Sequence, residues 1–248
     1  MTPINIVLFD LGNTLLYFDG QWPEVFARSD EQLCQALQAS GLEIPQDHFV
    51  SEFRVRLNAY YVQREAEFIE HTTAYILRQL LAELGYPEVE DSIILPALEK
   101  MYAVSQSHWK IEADTHPTLH QLKDDGHHLG IISNAGDDAD VHRLVDKAEI
   151  RPYFDFIVSS AAYGMRKPNP RIFEHALAHW KAAPEQAVMV GDTLGADILG
   201  AHHMGMPGIW ITRRADTPAN RAHADTIKPD HSIDTLIELP GLIKELNQ

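Results

Sequence analysis

The sequence predicts an α/β protein: a doubly wound parallel sheet core with an all-helical domain inserted close to the first strand. Three observations predict it. A short apolar run, Ile6 to Phe9, stops at Asp10 before the turn residues Gly12 and Asn13, and apolar runs ended in this way read as buried parallel strands. About ninety residues then follow whose apolar positions recur only at helical spacing, with no strand candidate among them. From His116 onward strands and helices alternate, the mark of parallel α/β architecture. The expected domains are a core of residues 1–16 and 112–248 and a helical cap of residues 17–111.

Within the insertion, Glu24 to Ser40 places Val25, Phe26, Leu33 and Leu37 on one stripe and ends at Gly41, a glycine suited to a helix C-terminus. Gln46 to Ala66 repeats Phe49, Phe53, Leu57 and Tyr60 at spacings of three and four. Phe68 to Leu84 carries Ala74, Leu77, Leu81 and Leu84 and stops before Gly85 and Pro87, while Asp91 to Trp109 reads as a fourth helix interrupted around Pro96. In the core, the spacing predicts strands over 128–133, 154–159, 187–191 and 208–212, with an edge strand within 227–233. Helices are expected over 118–125, 137–148, 171–180, 194–204 and 240–246.

Composition narrows the function. Of 248 residues 36 are acidic and 20 are Lys or Arg, giving a net charge of −16. Nucleic acids and anionic membranes need a cationic footprint, so neither is an expected partner. Any phosphate substrate must then be drawn in by local positive charge or a metal. Cys34 stands alone, which excludes a disulfide framework and a thiolate metal site. With no basic-plus-apolar leader and no run of about 18 apolar residues, the expectation is a soluble, cytoplasmic protein.

Ligands of open α/β sheets bind beyond the carboxyl ends of the strands, so the residues that follow each strand matter most. Asp10 follows the first. Ser133 and Asn134 end the second, Lys167 lies in the loop after the third, and Asp192 ends the fourth with Asp197 five residues later. Each has a plainer reading alone: Asp10 as a turn cap, Ser133 as a turn residue, Lys167 as a solvated loop lysine. Their ordered recurrence points to phosphoryl transfer. Asp10 and Asp192 can hold a hard cation such as Mg²⁺. Ser133 and the backbone N–H groups around Asn134 can bond phosphate oxygens, and Lys167 adds a point charge. One carboxylate can instead attack phosphorus and form an aspartyl-phosphate.

These residues carry a resemblance over nearly the whole chain. Phe9-Asp10-Leu11-Gly12-Asn13-Thr14-Leu15, Ile131-Ile132-Ser133-Asn134, Arg166-Lys167-Pro168-Asn169-Pro170 and Val190-Gly191-Asp192-Thr193-Leu194-Gly195-Ala196-Asp197 resemble, in order, the four motifs of the haloacid dehalogenase-like (HAD) hydrolases. The resemblance implies a Rossmann-like core, a helical cap after the first motif, and Asp10 as nucleophile. It further implies Ser133 and Lys167 as phosphate binders, Asp192 as a Mg²⁺ ligand, and Asp197 as a supporting acid.

One position departs from the phosphatase pattern. The aspartate that usually stands two residues after the nucleophile, as general acid and base, is Gly12 here. Its metal role survives, because the backbone carbonyl serves it; its proton-transfer role does not. Loss of a positioned general acid costs on the order of 10²–10⁴-fold. Dehalogenases of the family lack that acid as well, but they work without Mg²⁺ and replace the acid equivalent to Asp192. The expected function is therefore Mg²⁺-dependent hydrolysis of a small phosphorylated metabolite, with the cap excluding large substrates. A weakly active or non-catalytic phosphate-binding protein and a metal-independent 2-haloacid dehalogenase are the alternatives.

Overall fold

A computed structural model describes residues 3–248. Its chain begins with strands β1 (Ile6–Phe9) and β2 (Leu16–Phe18), followed by helices α1 (Trp22–Ala39), α2 (Gln46–Glu67), α3 (Thr73–Glu83) and α4 (Asp91–Gln106). Strand β3 (Trp109–Ile111), α5 (Thr115–Asp124), β4 (His128–Ser133), α6 (Asp138–Lys147), β5 (Phe156–Ser159), α7 (Ser160–Tyr163) and α8 (Pro170–Trp180) come next. Then β6 (Ala187–Gly191) leads through a π-helical turn (Leu194–Ile198) into α9 (Leu199–Met204). The chain ends with β7 (Gly208–Ile211), α10 (Pro218–His223), β8 (His231–Ile233) and α11 (Leu239–Leu246).

Six strands form one parallel sheet in the order β5-β4-β1-β6-β7-β8. This is the predicted doubly wound core. Strand β1 lies inside it, between β4 and β6, and all four of its residues are buried, as an apolar run without alternation requires. The strand order reverses at β1, so its carboxyl end opens the crevice where such sheets bind ligands. Register fixes what meets there. Phe9 pairs with Ile131 on one side and Val190 on the other. Asp10, Ser133 and Asp192 therefore leave the sheet at the same end, within two residues of one another along the strands.

The chain divides into two compact units, one running to Phe18 and resuming at Lys110, the other spanning Asp19–Trp109. The second contains α1 to α4 around its own apolar core, which includes Leu33, Leu37, Phe49, Phe53, Leu77 and Leu81. Phe49 and Phe53 stack at 5.7 Å, one helical turn apart. Asp30, buried on α1, accepts two hydrogen bonds from Arg54 of α2 at 2.7 and 2.8 Å. No helix of the described residues is long and apolar enough to cross a membrane.

Several boundaries differ from the sequence expectation, each for a local reason. No strand was expected between the first strand and the alternating region, yet β2 and β3 pair as a separate two-stranded sheet. Three residues each, they are strands only because they meet across about ninety intervening residues, which no local pattern reports. Helix α3 starts at Thr73 rather than Phe68. Phe68 sits at φ 54° and closes α2, and the Thr72 side chain accepts from the Tyr75 N–H to start α3. Pro96 does not interrupt α4, which runs through it. Helices α7 and α10 were not anticipated, and the expected helix over 194–204 begins as a wider π-helical turn.

Candidate active site

Asp10 follows β1 because the strand's ladder ends there: its N–H still donates to the Val190 carbonyl at 2.9 Å. The chain then turns. Asn13 adopts a left-handed conformation, φ 58°, which asparagine tolerates better than most side chains. That turn brings Thr14, fully buried, back toward the Asp10 carboxylate, and its hydroxyl lies 3.5 Å from Oδ2.

Lys167 reaches the same carboxylate from 157 residues away. Its ammonium stands 2.7 Å from Asp10 Oδ1 and 2.7 Å from Asp197 Oδ1, and the side chain is 1% exposed. Burial alone would drive the proton off this lysine, but the Asp10 and Asp197 charges prevail and push its pKa above the ordinary value. The plainer reading of Lys167 as a solvated loop residue is thereby excluded. Asn134 holds the lysine's backbone in place. Its Oδ1 accepts from the Lys167 N–H at 2.8 Å and its Nδ2 donates to the Lys167 carbonyl at 3.0 Å. This clamp joins the end of β4 to the loop before α8, and nothing in the sequence signalled it.

Asp192 is 5% exposed, and its hydrogen-bonded neighbour is the Thr193 hydroxyl, 3.2 Å from Oδ1. Burial, and then the Asp10 and Asp197 charges, push its carboxyl well above the usual carboxylate range. Asp197, wholly buried, has its two oxygens turned to different donors: Oδ1 to Lys167, and Oδ2 to the Thr193 N–H at 2.9 Å. Burial drives its carboxyl up to about 6 against the opposing pull of Lys167. Gly191 makes room for it. A Cβ at that position would lie 2.2 Å from Asp197 Oδ2, so only glycine lets the acid tuck beneath the strand end.

Asp10, Asp192 and Asp197 each offer an oxygen, all within 4.8 Å of one another. One ammonium accompanies three buried or half-buried carboxyl groups, so ionising all three leaves negative charge in excess. A site of that charge and oxygen chemistry fits a divalent hard cation. Ser133, 7% exposed, ends β4 beside this cluster in the sheet register. Gly12 lies in the turn and bridges to Leu16. Asp19 belongs to the other unit, where its N–H donates to the His108 carbonyl.

Sequence reasoning missed the residues that hold Asp192 from behind. The Asp192 carbonyl accepts from Trp210 Nε1 at 2.8 Å and from Asn220 Nδ2 at 2.7 Å. Asn220 sits on α10, whose start was readable: Thr217 caps it by accepting from the Asn220 N–H, and Pro218 follows.

Comparisons with known proteins bear on the family and the fold. Residues 4–205 match the haloacid dehalogenase-like hydrolase family. A glyceraldehyde 3-phosphate phosphatase of Methanopyrus kandleri is 29% identical over 245 residues, 98% of both chains. Among solved structures, a HAD phosphatase from Thermococcus onnurineus superposes with a TM-score of 0.67 at 24% identity, covering 97% of this chain and 98% of its own. A 2-haloacid dehalogenase from Pseudomonas syringae pv. Tomato DC3000 gives 0.66 at 26% identity, over 98% and 99%.

Proposed function

The chain belongs to the haloacid dehalogenase-like hydrolases and is an enzyme, and on that premise we propose that it is a Mg²⁺-dependent phosphatase of small phosphorylated metabolites. The observation that carries the reading is the buried cluster of three carboxylates around one ammonium. Dehalogenases of the family replace the acid at position 192; this chain keeps it, at a cost in repulsion that a bound cation would offset. Asp10, Asp192 and the Gly12 carbonyl are the residues that would hold the ion, whose contribution is to neutralise phosphoryl oxygens. Similarity to a glyceraldehyde 3-phosphate phosphatase supports a small phosphorylated substrate.

The residues divide the work. Lys167 grips Asp10 Oδ1, which leaves Oδ2 to attack phosphorus. Two of the three ammonium hydrogens face Asp10 and Asp197, so a third remains for a phosphoryl oxygen. Ser133 and the backbone around Asn134 bind the other oxygens. As Asp10 Oδ2 bonds to phosphorus, the bond to the ester oxygen breaks, and that oxygen takes its proton from water because Gly12 offers none. A second water then attacks the aspartyl-phosphate, releasing phosphate and a proton and restoring the carboxylate.

The test is phosphate release from p-nitrophenyl phosphate and a metabolite panel, with Mg²⁺ and with EDTA. Turnover is expected with Mg²⁺ and lost in EDTA and in Asp10→Asn; folded protein that releases none from any substrate refutes the reading. Gly12 favours weak activity as a second reading within the same class. Gly12→Asp should then raise the rate, most for poor leaving groups. A variant still at background points instead to a phosphate-binding protein without turnover, and halide release from a 2-haloacid in EDTA would establish dehalogenation.

A further inference from the structure

We infer that Asn220 is a positioning residue that sets the affinity of the site for its cation by holding the Asp192 loop. The inference rests on the reading of Asp192 as a metal ligand. Its physical starting point is that Asp192 sits where its own charge is unwelcome. Two neighbouring carboxylates repel it, and Lys167 already serves both of them. Such repulsion favours any shift of Asp192 away from the cluster, and ties on its main chain from the far side oppose that shift.

Asn220 supplies that tie at both ends of the turn. Nδ2 donates to the Asp192 carbonyl at 2.7 Å, and Oδ1 accepts from the Leu194 N–H at 2.8 Å. The second Nδ2 hydrogen goes to the Ala215 carbonyl at 2.9 Å, which anchors the whole arrangement to the loop after β7. One amide therefore brackets Asp192, Thr193 and Leu194. Only this amide orientation works, since the reverse would set its oxygen against two carbonyls. Asn220 is 4% exposed, so water cannot replace these bonds cheaply. Trp210 Nε1, at 2.8 Å from the same Asp192 carbonyl, is the second tie.

The chemistry of asparagine is what the position demands. Aspartate has the same shape, but it would present oxygen to two carbonyls and add a further negative charge behind the cluster. Alanine would leave the Leu194 N–H without its acceptor and take one donor each from the Asp192 and Ala215 carbonyls, which keep Trp210 Nε1 and the Thr217 N–H. In both cases Asp192 is freed to move away from Asp10 and Asp197, and an ion bound between them loses a correctly placed ligand. Residues that orient metal ligands in this way typically alter metal affinity or activity by about 10–100-fold.

Isothermal titration of Mg²⁺ into folded wild type, Asn220→Ala, Asn220→Asp and Trp210→Phe tests this directly, with Arg221→Ala on the exposed side of α10 as control. Both Asn220 variants should bind Mg²⁺ at least about tenfold more weakly, Trp210→Phe should fall between them and wild type, and Arg221→Ala should match wild type. On p-nitrophenyl phosphate, the Mg²⁺ concentration for half-maximal rate should rise by the same factor while KM at saturating Mg²⁺ stays put. A residue that merely packs would leave Asn220→Asp unchanged in Mg²⁺ affinity. If Asn220→Ala does not fold, Asn220→Asp, which keeps the shape and loses both Nδ2 donations, decides the matter, and Trp210→Phe reports the other donor to the same carbonyl. Wild-type Mg²⁺ affinity in the folded variants overturns the role of Asn220. A wild type that binds no Mg²⁺ overturns the metal reading itself, and this inference with it.

Discussion

Replacing Asp192 with asparagine should make the metal-free protein more stable while abolishing its response to Mg²⁺. Asp10, Asp192 and Asp197 bring oxygens within 4.8 Å of one another, and Lys167 is shared by Asp10 and Asp197 at 2.7 Å. At that carboxylate separation one pair repels by about 3 kcal/mol at an effective dielectric constant of about 20. Asp192 faces two such repulsions, and its buried position adds to them. Partial proton uptake and the attraction of the ammonium bring the net cost down to roughly 2–3 kcal/mol. Asparagine keeps the shape and the Thr193 contact and removes the charge. A gain of that size corresponds to a melting temperature raised by roughly 5–10 °C for a unit of this size. The assay is thermal unfolding in EDTA and in Mg²⁺. Wild type should melt below Asp192→Asn in EDTA and gain stability with Mg²⁺, whereas the variant should ignore the ion and release no phosphate. An Asp192→Asn protein that melts at or below wild type in EDTA would refute the electrostatic argument, because the acid would then be stabilising without a cation.

Two further predictions follow from the same cluster. Burial holds the Asp197 carboxyl at about 6 in the folded protein, against about 3.9 in an unfolded chain. The folded state thus binds more protons between pH 4 and 6, and metal-free stability should be full below about pH 4 and fall as pH rises through about 6. Relative to Asp197→Asn in EDTA, wild type should lose on the order of 2–3 kcal/mol across that window; parallel stability profiles for the two proteins would contradict it. Gly191→Ala should cost about 1–3 kcal/mol in denaturant unfolding. Its Cβ would meet Asp197 Oδ2 at 2.2 Å, and that oxygen is tied to the Thr193 N–H. A neutral substitution would show that Asp197 is free to move aside.

What the sequence by itself determined is the architecture and the address of the chemistry. Strand ends are legible because a buried parallel strand is an unbroken apolar run, and the residue that stops it stands out. Asp10 after Ile6 to Phe9 and Asp192 after Ala187 to Gly191 are such residues, and their order with Ser133 and Lys167 carried the family resemblance. The helical insertion was legible for the same reason, since Phe49, Phe53, Leu57 and Tyr60 repeat at helical spacing and are all buried. Only the tertiary structure decided how these residues act on one another. That Lys167 is buried between two acids, that Asn134 clamps its backbone, and that Asn220 ties Asp192 from behind are contacts between residues about 30 or more apart in sequence, as is the pairing of β2 with β3. Local periodicity reports which face of an element is apolar; it carries no information about which distant polar group a buried amide or ammonium will meet. Those meetings set the charge balance of the site, and with it the case for a cation.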